Sequence, residues 1–351
     1  RGSARGPPAA RPHAAAAMGG PAEFCPRGLG DMRGWPTAAE LLTQERPRVY
    51  DFLLPMAVAG CALTTFLAVP TLVRLGLAGR KIKDRRRLFF AMVPPAAPLA
   101  FAILKLLTVL APRAWMVLNI LSAACEAFAF WGFLQLLLNF IGGPTGDIPA
   151  VLERLGPVRV WRCSKLRTPT ASDVSMVRAL VYQFVVVVVA IAALELAEEW
   201  SKAHSVLLSV VDVASLIACV VAELSLMRMA HQVLGERHVH RKFWTLKALF
   251  VATTVSFRLA NRLITADVQT GEQCYTSQML AAAWSAGFTS VFAVVVAALA
   301  AWAFSPKDIC DQQPQLSPAT TDTSATAATT ATMETELAVK ASPKAEIDLV
   351  V

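Results

Sequence analysis

Seven long apolar segments constrain the fold of this chain more than any other feature of its sequence. They cover residues 52–75, 88–111, 115–141, 176–196, 206–227, 243–265 and 279–304. A helix rises about 1.5 Å per residue, so each segment can cross the roughly 30 Å hydrocarbon core of a bilayer. Backbone N–H and C=O groups must be paired inside lipid, which favours helices over lipid-exposed strands. The sequence therefore predicts an all-α, polytopic bundle of seven transmembrane helices.

The composition agrees with a membrane protein. Of 351 residues, 55% are hydrophobic and only 17% are charged, whereas soluble domains carry about 25% charged residues. The net charge of +8 comes mostly from loops, where anionic lipid headgroups attract it. We therefore expect an integral, multi-pass protein of the plasma membrane or an endomembrane, with the lipid bilayer as a partner and no nucleic acid.

Basic residues are concentrated in alternate loops, which predicts the orientation. The loops after the first, third and fifth segments hold Arg80, Lys81, Lys83, Arg85, Arg86, Arg87, Arg154, Arg159, Arg162, Lys165, Arg167, Arg228, Arg237, Arg241 and Lys242. The other three loops hold few basic residues. Because basic loops stay on the cytoplasmic side, the N-terminus is predicted outside and the C-terminus inside.

The two ends of the chain differ from its centre. Residues 1–49 and 306–351 lack long apolar segments, and the tail is rich in Ala, Thr and Ser. We expect a disordered N-terminal segment (1–49), a transmembrane domain (50–305) and a disordered cytoplasmic tail (306–351). The cysteines are scattered without metal-binding spacing, so we expect no metal, no cofactor and no structural cysteine, although Cys25 and Cys274 fall outside and could pair.

Ionisable side chains inside the predicted spans are the candidate functional residues, because they are costly in lipid and usually face the bundle interior. They are Lys105, Glu126, Asp212, Glu223, Lys247 and Arg258, to which we add the polar Asn261. Among them, Arg258 is the best candidate to contact an anionic solute.

Four of these residues lie on the fifth and sixth spans. Asp212 and Glu223 are eleven residues apart, as are Lys247 and Arg258, so each set lies on one helical face. In two consecutive antiparallel helices, the sequence numbers of two residues at equal depth add up to the same total. This total is identical for Asp212 with Arg258 and for Glu223 with Lys247. We predict that Asp212 meets Arg258 and that Glu223 meets Lys247. They form either a polar track for an anionic or amphipathic solute or structural ion pairs.

Glu126 stands at the head of an otherwise apolar run. Asn119 precedes it and Phe130 and Phe133 follow it on the same helical face. We expect Glu126 to point into the bundle, near enough to pair with Lys105 from the second span. Its role is either a hydrogen bond in helix packing or a site for a solute or proton.

Several short motifs resemble one known family. They are Cys125-Glu126-Ala127-Phe128, Phe133-Leu134, Leu137-Leu138 and Ile141-Gly142-Gly143 in the third segment, and Val93-Pro94, Gln183-Phe184, Lys242-Phe243 and Ser256-Phe257 elsewhere. Together they resemble the organic solute transporter alpha-subunit family over roughly residues 52–306. The resemblance implies a seven-helix protein with an outer N-terminus that moves amphipathic organic anions, such as steroid conjugates, with a second, single-span subunit.

The chain departs from this family's pattern in three places. Valines 185–189 stand where the family carries Arg-Pro, Arg258-Leu259 replace Trp-Gln, and no acid occurs between Met279 and Phe304. The chain therefore resembles a divergent member, whose fold can be shared while its substrate differs.

Two classes of function remain open. The first is a transporter or transporter subunit for organic, amphipathic anionic solutes, working by facilitated or ion-coupled movement because the chain carries no Walker motif. The second is a membrane scaffold or a trafficking or signalling protein of the same fold. The sequence contains neither an HExxH nor a GxSxG motif, so we do not expect an enzyme. Expected partners are the organic solute and either a single-span subunit or a second copy.

Overall fold

The computed structural model describes residues 35–43, 46–80, 85–143, 147–154, 156–161, 165–196, 202–234, 238–270 and 273–306. In chain order its elements are α1 (Ala38–Thr43), α2 (Arg48–Gly79), α3 (Arg85–Leu110), a 3₁₀ turn (Pro112–Ala114), α4 (Trp115–Gly142), α5 (Ile148–Arg154), α6 (Ala171–Leu196), α7 (Lys202–Met229), α8 (His231–Leu234), α9 (Val239–Leu263), β1 (Val268–Thr270), β2 (Gln273–Tyr275) and α10 (Ser277–Ala303). Each of the seven predicted segments coincides with one of the long helices.

Six helices in the described part of the chain are long and apolar enough to cross a membrane. They are α2, α3, α4 with its preceding 3₁₀ turn, α6, α7 and α10. The prediction of an all-α, multi-pass membrane protein is therefore confirmed. The sixth predicted segment forms α9, which is helical over 25 residues but carries more charged residues than the other long helices.

Helix α10 is surrounded by three other long helices and packs against α2, α3 and α9. Its buried face consists largely of small residues, which allow backbones to approach closely. A Cβ added to Gly60 of α2 would lie 2.8 Å from the backbone of Ser290. Glycine is thus required where α2 crosses α10.

The remaining long helices follow one another around the bundle. Helix α4 packs on α3 and on α6, and α6 packs on α7. The consecutive helices α7 and α9 do not pack closely along their lengths, because α7 lies chiefly against α6 and α9 against α10. Long side chains bridge the gap between them.

One end of the bundle is closed by aromatic residues. Tyr50 at the start of α2 lies 5.6 Å from Tyr275 of β2, between ring centroids. Trp35 is buried and its carbonyl accepts a hydrogen bond from Arg113. Burial raises the pKa of Tyr275 to about 12. The adjacent Cys274 is disulfide-bonded, so the expectation of no structural cysteine is wrong for this residue.

Residues 38–43, inside the segment predicted to be disordered, form helix α1. The Thr37 Oγ1 accepts from the Glu40 N–H at 3.2 Å, and Glu40 accepts from the Thr37 N–H at 2.6 Å, which is a capping box. The Thr37 N–H lowers the pKa of Glu40, while Leu41 is fully buried. The predicted disorder of residues 1–34 and 307–351 concerns segments outside the described residues.

Candidate functional site

A cavity of about 250 Å³ lies among six of the long helices. Its lining comes from α3, α4, α6, α7, α9 and α10. It includes Phe101, Lys105, Asn119, Ser122, Glu126, Val188, Ile191, Ser209, Asp212, Thr253, Phe257, Arg258, Asn261 and Ser285. The lining residues lie in the half of the bundle that contains the β1–β2 hairpin, because they approach the ends of α3, α6 and α9 and the starts of α4, α7 and α10.

Five of the seven candidate residues meet in this cavity. They are Lys105, Glu126, Asp212, Arg258 and Asn261. The other two, Glu223 and Lys247, are absent from the lining and lie nearer the opposite end of the bundle. The single track predicted from the sequence is thus divided into two sites.

The first predicted ion pair joins α7 to α9 at the cavity. An Arg258 guanidinium nitrogen lies 3.7 Å from an Asp212 carboxylate oxygen, which confirms the predicted pairing. The two side chains retain 44% and 30% of their exposure, respectively. This pair is accessible, and its separation exceeds the 2.7–2.9 Å typical of a charge-assisted hydrogen bond.

The second predicted ion pair lies below the cavity and is confirmed as well. Lys247 Nζ is 4.0 Å from a Glu223 carboxylate oxygen, with side-chain exposures of only 7% and 0%. Neither the Lys247 ammonium nor the Glu223 carboxylate has a hydrogen-bond partner in the described structure. The ammonium instead lies 3.9 Å from the centroid of the Phe130 ring, a distance that permits a cation–π interaction.

Aromatic rings separate the two ion pairs. Phe130 of α4 stacks on Phe250 of α9 with centroids 4.4 Å apart and an interplanar angle of 24°. Phe184 of α6 lies 5.1 Å from Phe130 at its edge, and Phe101 of the cavity wall lies 6.1 Å from Phe250. All four rings are buried. We call Phe101, Phe130, Phe184 and Phe250 the aromatic layer.

Lys105 and Glu126 face the same cavity but do not form the predicted ion pair. No ion pair between described residues joins them within 4.0 Å. Lys105 lies about one and a half turns from the end of α3, whereas Glu126 lies about three turns into α4. The difference in depth leaves the two charged groups beyond 4.0 Å, although they still attract each other.

A cluster of hydroxyl groups was not identified from the sequence. Ser256 Oγ of α9 lies 3.1 Å from Ser285 Oγ and 3.4 Å from Thr289 Oγ1, both of α10. Ser285 also lines the cavity. The spacing of Ser285 and Thr289, one helical turn apart in an apolar helix, is the signal that could have revealed a polar face.

The arrangement is suited to binding a charged organic molecule. Within the described residues, no group of three or more His, Cys, Asp or Glu side chains could hold a metal ion. The cavity combines cations, carboxylates and hydroxyls with apolar walls inside a membrane bundle. Such a site can hold a charged organic molecule away from lipid.

A family model described as Organic solute transporter Ostalpha matches residues 56–309. The chain belongs to the Ostalpha family. The matched region begins one quarter of the way along α2 and extends past α10, so it includes the whole cavity. No curated protein and no solved structure was found to match the chain.

Membership confirms the family resemblance seen in the third segment. It assigns the chain to a family of membrane solute transporter subunits, not to an enzyme family. The Cys125–Gly143 stretch that carries most of the resemblance forms α4, which contributes Glu126 to the cavity and Phe130 to the aromatic layer.

Proposed function

We propose that this chain is the multi-pass subunit of a transporter for organic solutes that carry an anionic group and an apolar body. The observation that carries this proposal is the cavity of about 250 Å³ inside the bundle, lined by Lys105 and Arg258 as well as Phe101 and Phe257. Family membership supports solute transport. The movement is facilitated or ion-coupled, and a single-span partner subunit accompanies the chain, as the family resemblance implies.

The proposed topology has seven crossings, with α9 as the sixth. Five helices, α2, α3, α4, α6 and α7, precede it and carry the chain to the end opposite the start of α2. Tyr275, just before α10, nevertheless contacts Tyr50 at the start of α2. Helix α9 must therefore return the chain across the bundle, which supports a crossing despite its charges.

The start of α2 faces outward in this proposal. The opposite end carries the basic residues that favour the cytoplasmic side, among them Arg80, Arg154, Arg228 and Arg241. The disulfide at Cys274 lies at the Tyr50 end, and disulfides persist mainly in oxidising compartments. Both observations support an outer N-terminus and a cavity in the outer half of the membrane.

We assign different roles to the candidate residues. Lys105 and Arg258 supply positive charge for the solute's anionic group. Asp212 pairs with Arg258, and Glu126 faces the same cavity. Asn261 is exposed at the cavity and lies at its entrance. Glu223 and Lys247 hold α7 to α9 beneath the aromatic layer instead of contacting the solute.

Uptake into proteoliposomes tests this function. The purified full chain is reconstituted, and uptake of a panel of labelled organic acids, some with and some without an ammonium group, is compared for the wild type and Arg258→Gln. Arg262→Gln is the matched control, because Arg262 is exposed one turn further along α9 and is absent from the cavity lining. We expect Arg258→Gln to reduce uptake about tenfold, equivalent to about 1.4 kcal/mol, and the control to stay within about twofold.

The outcome separates the transporter from the scaffold alternative. Equal uptake by wild type and Arg258→Gln contradicts a role of Arg258 in solute passage. Absence of saturable uptake both in proteoliposomes and in cells that express the chain contradicts transport by this subunit alone. Uptake restored by a co-expressed single-span membrane protein would then identify the missing partner.

A further inference from the structure

Two charged groups of the cavity form no ion pair with any residue in the described part of the chain. Asp212 and Arg258 balance each other at 3.7 Å. Lys105 on α3 and Glu126 on α4 line the same space, and no ion pair between described residues includes either of them. Lys105 and Glu126 still attract each other across the cavity, but neither is neutralised at contact distance, and incompletely compensated charges inside a membrane are costly. The cavity therefore presents one cation and one anion to whatever molecule fills it.

The size and walls of the cavity restrict that molecule further. Its volume of about 250 Å³ lies below the roughly 300–1,000 Å³ of pockets that enclose drug-sized ligands. Phe101, Ile191 and Phe257 form apolar parts of its lining. The enclosed part of the space suits a small solute with a short apolar body.

We propose that the solute of this cavity is a small zwitterion whose carboxylate meets the Lys105 ammonium and whose ammonium meets the Glu126 carboxylate. The inference rests on the proposed solute transport and narrows its substrate class, because the anionic group is accompanied by a cationic one. A solute with a carboxylate alone leaves Glu126 uncompensated, and an amine alone leaves Lys105 uncompensated. Either mismatch places an unpaired charge in a desolvated site and is rejected.

Lys105, and not Arg258, is then the contact for the solute's carboxylate. The sequence favoured Arg258, but Arg258 already lies beside Asp212 and is 44% exposed. Lys105 is less exposed and has no ion-pair partner among described residues. Lys105 is therefore the cation that gains most from a bound carboxylate.

Three probes with one carbon skeleton test the inference. Leucine carries both charges, 4-methylpentanoate lacks the ammonium, and 3-methylbutylamine lacks the carboxylate. Binding of each labelled probe to the purified full chain is measured by equilibrium dialysis. We expect leucine to bind at least about tenfold more tightly than either analogue, since each loses an interaction worth about 1.4 kcal/mol or more.

Charge-neutral variants then assign each contact. Glu126→Gln is expected to shift the preference at least about tenfold toward 4-methylpentanoate, and Lys105→Gln by a similar factor toward 3-methylbutylamine. Arg262→Gln should leave the preference unchanged. The readout is a ratio of affinities within one preparation, so partial loss of folded protein does not alter it.

The results also separate this inference from the proposed function. If the wild type binds 4-methylpentanoate as tightly as leucine or more tightly, the solute is not a zwitterion. The proposed transport of anions then stands. Unchanged preference in both variants overturns the assignment of Lys105 and Glu126. No binding of any probe overturns the inference, and the uptake of labelled anions then decides on transport independently. Leucine binding without any uptake supports the site and contradicts transport.

Discussion

The two ion pairs between α7 and α9 were predicted by the same rule but occupy different environments. Asp212 and Arg258 line a cavity and remain partly exposed, whereas Glu223 and Lys247 are 0% and 7% exposed. The aromatic layer lies between them. Their separations of 3.7 and 4.0 Å are similar. The distance between the charged atoms therefore does not reveal in which pair a residue can leave its partner for a solute or water.

The surroundings of each pair determine how firmly it is held. A partly exposed pair is screened and stabilises a protein by about 0–1 kcal/mol. A buried pair leaves a costly charge behind when one partner is removed. The cavity pair can thus yield to a solute or to water, whereas Glu223 and Lys247 must stay together.

Removing one charge from each pair should produce the largest contrast. Glu223→Gln leaves the Lys247 ammonium buried, and we expect a loss of about 3–5 kcal/mol in the free energy of unfolding. Asp212→Asn leaves Arg258 partly exposed, and we expect a loss of about 0–1 kcal/mol. Denaturant unfolding of both variants in detergent micelles measures the two losses. Equal losses would show that burial does not distinguish the pairs.

Phe130 should connect the aromatic layer to the buried pair energetically. Phe130→Leu removes the ring whose centroid lies 3.9 Å from the Lys247 ammonium, and it also removes the stack on Phe250. We therefore expect a loss of about 2–3 kcal/mol in the free energy of unfolding. Phe128→Leu is the control, because Phe128 lies on the same helix with 45% exposure. Thermal unfolding of the two variants checks the difference. A larger loss for Phe128→Leu would refute the role of the layer.

Exchanging the charges within each pair should give the smallest contrast. Asp212→Arg with Arg258→Asp keeps the cavity pair, with an expected loss below about 1 kcal/mol. Glu223→Lys with Lys247→Glu places a carboxylate against the electron-rich face of Phe130 and should cost about 2 kcal/mol. Unfolding of the two double variants compares them. Tolerance of the inner exchange would mean that Phe130 contributes little to holding Lys247.

Much of the fold was predictable because the bilayer imposes a simple rule on length and polarity. Each apolar segment became a helix, and the equal spacing of charges on two antiparallel helices led to both ion pairs. Lys105 and Glu126 face the same cavity as expected, but they do not form the ion pair considered for them, because they lie at different distances from the ends of their helices. Spacing along a helix specifies depth and face, but it does not specify which helices become neighbours.

The division of the polar track was not predictable for the same reason. The aromatic layer combines residues from α3, α4, α6 and α9, and only the helix arrangement brings these rings together. The gap between α7 and α9 also depends on α10, which occupies the neighbouring position against α9. Ser285 and Thr289 are small residues of a kind common in packed membrane helices, and only the folded arrangement places Ser256 beside them.

The packing of α10 has a mechanical consequence. Its small side chains interlock with α2, α3 and α9, whereas α6 and α7 are joined to the rest chiefly through α4 and through the two charge pairs. Spin-label distances between α7 and α9 should therefore be distributed more widely than those between α2 and α10. A rotation of α6 and α7 as one rigid body about α4 would change the width of the cavity, while α10 and its neighbours α2, α3 and α9 keep their positions.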